Sequence, residues 1–411
     1  QITVGFVTVQ TQNQTVTNPT VIWSSSNNSV AVVETGKVNG TTVTGIITAK
    51  KEGIATITAM TQDGSKKAQC KLTIVDSPVL KEAGETIKKN VGETYQLTLS
   101  SADSGTAPSD VVWESSNPGV VSVSSTGLLK MEKAGAAVIK VYRKSKPSYV
   151  QQCYAIAIGD EKEPEGDKVL KYEQKPGTTD DTPEINKMLR DWEWGDPDKY
   201  EALYIPAGVY HIDPVAGGND KYGKYKFGGI VLTDNQKLIM SESALLVATG
   251  NSSKNYQVIH VFGRNNVTIS GGQIIGERRE HTGKDGEWGH GIAIFGSTNV
   301  TIENVDVSQC WGDGIYLGKY DNTSLGNPSS NGVTITNCNL HHNRRNNLSI
   351  TDASDITVKN SEFSYASGTA PQYGIDIEPN KNKTCSNVTI SDCTFKGNAG
   401  GTIQILGQLN A

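Results

Sequence analysis

Between residues 258 and 406 an apolar-x-apolar pair returns at a regular beat. One series runs Val267 and Ile269, Val300 and Ile302, Val333 and Ile335, Ile356 and Val358, Val388 and Ile390, at steps of 33, 33, 23 and 32 residues. A second follows it: Ile292 and Ile294, Ile315 and Leu317, Leu348 and Ile350, Ile375 and Ile377, Ile403 and Ile405. Alternation with period two and β-branched residues predicts half-buried strands. Recurrence every 20 to 50 residues predicts a solenoid, whose turns absorb insertions while the strands keep register. Gly291, Gly314, Asn347 and Gly374 stand just before the second series. They are expected to supply the left-handed backbone of a tight corner. Parallel stacking of such strands gives a right-handed β-helix with inward columns. Val305, Cys338, Ser361 and Cys393 fill one column, so both cysteines read as core filler.

Ahead of the solenoid, two segments repeat each other. Residues 23–27 read WSSSN and residues 113–117 read WESSN; GIATIT at 53–58 answers GAAVIK at 135–140. Short strands broken by turn residues predict two small β-sandwiches, at 1–77 and 78–160. Cys70 and Cys153 occupy equivalent places in separate sandwiches and are not expected to pair. The first segment joins the repeat partway, with Gln1 aligned to Gln96. At the other end the rung opening at Gly401 is not completed by residues 407–411. Both ends therefore read as cut from a longer chain. The stretch DEKEPEGDK at 160–168 reads as a linker. Thr182 can cap a helix with Pro183 at its first position. Ile185, Met188, Leu189 and Trp192 line one face of that helix, which is expected to plug the open end of a solenoid spanning 161–411.

Composition adds limits. The 411 residues carry a net charge of −5 and no basic run, which argues against nucleic acid as a partner. No apolar stretch of membrane-spanning length occurs. Six cysteines without CxxC spacing indicate neither a zinc site nor a dense disulfide framework. The fold class is all-β.

The two sandwich repeats resemble the bacterial immunoglobulin-like domains of group 2, which implies spacers or adhesion modules on a bacterial surface or a phage virion. TDDTPEIN at 179–186 and LYIPAGVY at 203–210 resemble the entry of the pectate-lyase-like β-helix superfamily. That superfamily holds polysaccharide hydrolases, lyases and phage tailspikes. The resemblance implies an extracellular protein that binds, and as an enzyme cleaves, a polysaccharide or cell-surface glycan; a tailspike reading adds a homotrimer.

The strand register places the chemistry. Residues following each inward position of the second series point outward: Ala293, Tyr316, Ser349, Asp376 and Gln404, with Phe295, Gly318, Thr351 and Glu378 beside them. Asp376 and Glu378 then share one strand face, one i,i+2 spacing of roughly 6.5–7 Å apart, close to the separation an inverting glycosidase gives its acid and base. Asp313 joins them as a third catalytic candidate. Arg344, Arg345, Trp288, Trp311, His290 and Tyr316 are the substrate-binding candidates. The tryptophans either form a platform for sugar rings, with Arg344 stacked on them, or pack under the long loop at 319–330. The charged loop 277–287, which bears His281, should overhang the same face. No cofactor is expected for a hydrolase. Lyases of the superfamily use an Arg or Lys base with calcium, which here would place the cation at Asp313, Asp376 and Glu378 and make Arg345 the base. The paired-Asp, His-Gly and Arg-x-Lys motifs of polygalacturonases do not occur in order, which weakens pectin as a substrate.

Overall fold

The computed structural model describes residues 2–8, 20–39, 42–74, 78–100, 110–196, 198–215, 228–380 and 384–407. Gln1 and residues 408–411, on which the reading of the chain ends partly rests, lie outside them. The chain divides into two compact units.

The first unit holds residues 1–81, 98–112 and 140–151. Val21–Ser25, Gly53–Thr61 and Lys67–Ile74 form one antiparallel sheet, and Ile2–Thr8, Thr42–Ala49 and Ala31–Asn39 another. Alternation along Gly53–Thr61 buries Ala55 and Ile57 with Val30, Ala31 and Ile47, and Ala59 with Val21 and Val43. Trp23 lies over Gly45, where a Cβ would come within 2.9 Å of the indole. The second unit repeats this device with Trp113 over Gly127, at 2.8 Å.

The rest of the second unit is a parallel β-helix of three sheets. Sheet A stacks eight strands, from Val169–Lys171 to Ser386–Ser391; sheet B seven, from Gly208–Ile212 to Thr394–Lys396; sheet C seven, from Ile230–Val231 to Gly401–Ile405. The first hydrophobic series forms sheet A and the second forms sheet C, in the expected register. Sheet B was not predicted. Its later strands are three residues long and offer one inward apolar side chain each, such as Ile274, Val307, Leu340 and Phe363. One apolar residue between polar ones carries no periodicity. The inward residues of all three sheets join one continuous core.

The corner glycines play a different part from the one expected. Gly291, Gly314, Asn347 and Gly374 do not have positive φ. They are confined by space: a Cβ on Gly291 would stand 2.5 Å from Val307 Cγ1 and 2.7 Å from the Gly314 carbonyl oxygen. Left-handed backbone falls instead on Asn266, Asn299, Asp355 and Asn387 near the starts of the sheet A strands, and on Asn304, Asn337, Asn360 and Asp392 just after them, with φ of 51 to 57°. Asn and Asp accept that conformation at low cost because their side chains bond locally.

The helix Thr182–Trp194 buries Ile185, Leu189 and Trp192 in the core at the start of the solenoid. Its N-cap is Asp181 rather than Thr182, and that carboxylate does not cap the helix. It accepts instead from Tyr172 Oη (2.7 Å), Gln174 Nε2 (3.0 Å) and the His211 amide (2.8 Å), while Thr182 Oγ1 accepts from the Asp213 amide (2.8 Å). The plug is thus tied by polar contacts to the first rung.

Part of the second sandwich belongs to this same unit and packs on sheet B. Ala136, Val138, Tyr154 and Ile156 bury Val209, Leu245 and Ile275, which point out of the solenoid. On later rungs the matching outward positions turn polar, with Asp306, Ser308, Asn339 and His341. The switch marks where the cover ends.

Candidate functional site

Sheet C pairs Ala293 with Tyr316, Tyr316 with Ser349, Ser349 with Asp376 and Asp376 with Gln404, so the outward column is real. Its members are nevertheless not solvated. Ser349 and Asp376 are 1% and 2% exposed, and Asp313, at the strand entry, is 0% exposed. Arg345 and Asn346, from the connection between sheets B and C, bond to the two aspartates. Glu378 lies just past the strand end at Ile377 and stays half-buried.

Asp313 is the hub of a polar network. It accepts from Arg345 Nη1 (3.1 Å), the Asn346 amide (2.8 Å) and Ser349 Oγ (3.0 Å). Burial pushes the Asp313 carboxyl up, and Arg345 with these donors pulls it back. For Arg345, burial works against the charge, but Asp313, Glu287 and Asp376 outweigh it and hold the guanidinium above its ordinary value. Glu287 reaches Arg345 Nε at 3.5 Å from the loop 277–287. Asn346 then joins the two acids: its Nδ2 donates to Ser349 Oγ (3.0 Å) and to Asp376 Oδ2 (3.0 Å). Asp376 Oδ1 is buried without a hydrogen-bond partner. Burial, with help from Glu378 and Asp313, raises the Asp376 carboxyl to about 6 against the pull of Arg345.

His290 continues the network one rung earlier. Its Nδ1 accepts the Asp313 amide at 3.3 Å, so the ring is neutral with its proton on Nε2. Burial and Arg345 hold its pKa down at about 3. The ring stacks on Tyr316 with centroids 4.7 Å apart. Beside them opens a cavity of about 280 Å³ lined by Trp288, His290, Tyr316, Phe262, Phe295 and Gln257 among others. Asp313, Asp376, Glu378, Arg344 and Arg345 are not among the lining residues.

The two tryptophans part company. Trp288 is 48% exposed at the cavity. Trp311 is covered: His281 stacks on it at 3.8 Å, and the Arg344 guanidinium lies 3.6 Å from its ring centre. Arg344 Nη1 also donates to the Gly286 and Trp311 carbonyls. Arg344 therefore fastens the loop 277–287, while Arg345 faces the acids. Below the loop, Glu277 is fully buried, accepts from Tyr256 Oη and bonds His281 Nδ1 at 3.0 Å. Burial raises its carboxyl to about 8.

Sequence reasoning passed over Asn346, Glu287 and Gln257. Gln257 was findable, since it stands two residues before the inward Ile259, the offset His290 holds from Ile292 on the next rung. Asn346 and Glu287 gain their meaning only from the packed loops.

Calcium is a poor fit for Asp313, Asp376 and Glu378. The Asp313 oxygens are turned to Arg345, Asn346 and Ser349, and no cluster of three His, Cys, Asp or Glu ligands occurs among the described residues. No helix among the described residues is long and apolar enough to cross a membrane.

Residues 6–72 and 83–150 match the family described as bacterial Ig-like domain (group 2), and residues 326–410 match the right handed beta helix region. The chain thus carries two such Ig-like domains and a right-handed β-helix. It is 34% identical over 244 residues to the uncharacterized protein YclG of Bacillus subtilis strain 168, covering 56% of this chain and 41% of that protein. It is 33% identical over 221 residues to the SPbeta prophage-derived uncharacterized protein YorA of the same strain, covering 50% of this chain and 38% of that one. The chain therefore spans about two fifths of the length of these curated relatives. Among solved structures it is similar to the tailspike gp49 of Acinetobacter baumannii bacteriophage Fri1, a capsular polysaccharide depolymerase, with TM-score 0.45, 16% identity and coverage of 80% of this chain and 56% of that one. It is also similar to the A-module of the Azotobacter vinelandii mannuronan C-5 epimerase AlgE6, with TM-score 0.37, 16% identity and coverage of 55% and 69%.

Proposed function

We propose that the outer face of sheet C binds a polysaccharide and hydrolyses it, with Asp376 as the proton donor and Glu378 as the base that activates water. The observation that carries this reading is the state of Asp376. Its carboxyl is buried and raised to about 6, and Oδ1 has no partner. A group that holds its proton near neutral pH and has an oxygen to spare suits general acid work. In the reaction the Asp376 proton goes to the glycosidic oxygen as the C1–O bond breaks. Water adds to C1 from the opposite face and yields its proton to Glu378. Asp313 and Asn346 act by position: the first anchors Arg345, the second orients Asp376. Trp288 and Tyr316 offer apolar faces to sugar rings.

Hydrolysis is favoured over elimination because the base a lyase would need is badly placed. Arg345 is engaged by Asp313 and Glu287 and held above its ordinary pKa, which keeps it protonated.

A second reading is a phage or cell-surface protein that binds the glycan without cutting it. The prophage origin of YorA supports it. Either way the protein works outside the cell, on a bacterial surface or a virion, and the virion form would assemble as a homotrimer.

The test is cleavage of purified polysaccharides, reading reducing ends and ultraviolet-absorbing unsaturated products separately. Asp376→Asn and Glu378→Gln should each abolish new reducing ends while glycan binding persists. Full activity in both variants would remove the pair from catalysis. A chelator-sensitive unsaturated product would make the enzyme a lyase.

A further inference from the structure

We infer that the glycan bound on the sheet C face is an uncharged one, built from neutral hexoses or N-acetylhexosamines, and not a uronate, sulfated or phosphate-bearing polymer. This rests on the reading of that face as a polysaccharide site.

The cations are the first ground. A site for an anionic sugar needs positive side chains with unused donors and no competing carboxylate. Among the described residues, the cations beside the acids and on the cavity wall are already engaged. Arg345 is held by Asp313 at 3.1 Å and Glu287 at 3.5 Å. Lys319, on the cavity wall, pairs with Asp321 at 2.9 Å. Arg344 is spent on Trp311 and two carbonyls.

The anions are the second. Asp352, fully buried beside the cavity residue Thr351, meets an amide, Asn380, at 3.0 Å. An anionic sugar would add like charge beside that carboxylate, which is repulsive.

The third ground is what does remain open. Gln257 is nine-tenths buried on the cavity wall, and its Oε1 has no partner. It is an acceptor, and what it lacks is a donor. A sugar hydroxyl or acetamido N–H can meet it, whereas a carboxylate, sulfate or phosphate group cannot. A buried acceptor left unsatisfied discriminates strongly against ligands that cannot donate to it. Around Gln257 the cavity is aromatic: Phe262 and Phe295 lie 4.6 Å apart, and His290 stacks on Tyr316.

The test is equilibrium binding of the full chain to a panel of matched polysaccharides, among them dextran against dextran sulfate and N-acetylchitohexaose against a hyaluronan hexamer, at 20 and 300 mM NaCl. The expected result is binding of neutral members with less than a twofold change between the two salts. Anionic counterparts should bind at least tenfold more weakly at low salt, with the gap narrowing at high salt. Asp321→Asn, which removes the carboxylate paired with Lys319, should tighten the anionic members at least threefold. Tight, salt-sensitive binding of an anionic member by the unaltered chain would overturn the inference and leave the polysaccharide reading standing. Binding to no member at all would overturn both.

Discussion

The Arg345 guanidinium stands 3.1 Å from the Asp313 carboxylate, which has no solvent-accessible surface, and it reaches that carboxylate from the next rung of the solenoid. The pair bridges two rungs of sheet C and a loop at once, since Glu287 holds the other side of Arg345. It fixes the floor on which Ser349, Asn346 and Asp376 are arranged. A buried pair of this kind stabilises little in itself, because desolvation offsets attraction, but breaking it leaves a bare charge inside the protein.

Arg345→Met should therefore cost about 3–5 kcal/mol of stability, the usual penalty for removing one partner of a buried pair. Adding Asp313→Asn to that variant should restore part of it, because no charge then remains unpaired. Urea unfolding of the single and double variants measures both. A single variant as stable as the parent would show that the pair is solvated in solution.

Stability should fall as pH rises through the range set by Glu277. Its ordinary pKa is 4.5 and burial lifts it to about 8 in the folded chain. The folded state thus binds the proton more tightly than the unfolded state. The stabilisation is complete below about pH 4.5 and is lost as pH climbs through 8, with a ceiling of about 5 kcal/mol from the size of the shift. Glu277→Gln keeps an acceptor for Tyr256 and removes the titration. Its melting temperature should change less between pH 5 and pH 8 than that of the parent, as read by calorimetry. Equal slopes would show that Glu277 is already ionised at pH 5.

Gly291→Ala and Asn299→Gly should behave oppositely. The alanine methyl has no room between Val307 and the Gly314 carbonyl and forces the backbone apart, at about 1–3 kcal/mol for an overpacked interior. Asn299 has φ of 53°, which glycine adopts freely, so that change should cost well under 1 kcal/mol. Thermal melts compare them directly, and a neutral Gly291→Ala would show that the corner opens easily.

The sandwich segment on sheet B is expected to behave as part of the solenoid. Leu245→Lys places a charge under Ala136, Val138, Tyr154 and Ile156, where it has no partner. Amide exchange at residues 154–157 should then quicken by tenfold or more, while exchange on the late rungs, around Ile350 and Ile377, stays slow. Unchanged protection at 154–157 would show that Leu245 is not covered in solution.

Catalysis carries its own pH signature. With Asp376 as the acid, cleavage should decline as pH rises through about 6, the value to which burial lifts its carboxyl. A pH–rate profile on any cleaved glycan measures it. A rate that instead climbs steadily from pH 6 to 9 would assign the proton donor to another group.

The sequence by itself determined the repeat and most of its register. β-branched pairs at fixed offsets place sheets A and C, because a strand with one buried face must alternate and a one-residue slip would turn its apolar set outward. The same alternation placed Tyr316, Ser349 and Asp376 in one column, and the helix plug was legible in the spacing of Ile185, Leu189 and Trp192. Three things only the tertiary structure decided. Sheet B rests on single residues such as Val307 and Leu340, whose burial comes from neighbouring rungs and not from their own strand. The small corner residues Gly291, Gly314 and Gly374 answer to atoms across the core, so their role could not be read from local backbone preference. The site was decided by tertiary packing: an outward-pointing Asp376 is solvated on a bare strand, and only its burial beside Asn346, against the pull of Arg345, makes it an acid near pH 6. Long-range burial sets the charge state of a side chain, and no local pattern encodes what will lie on top of it.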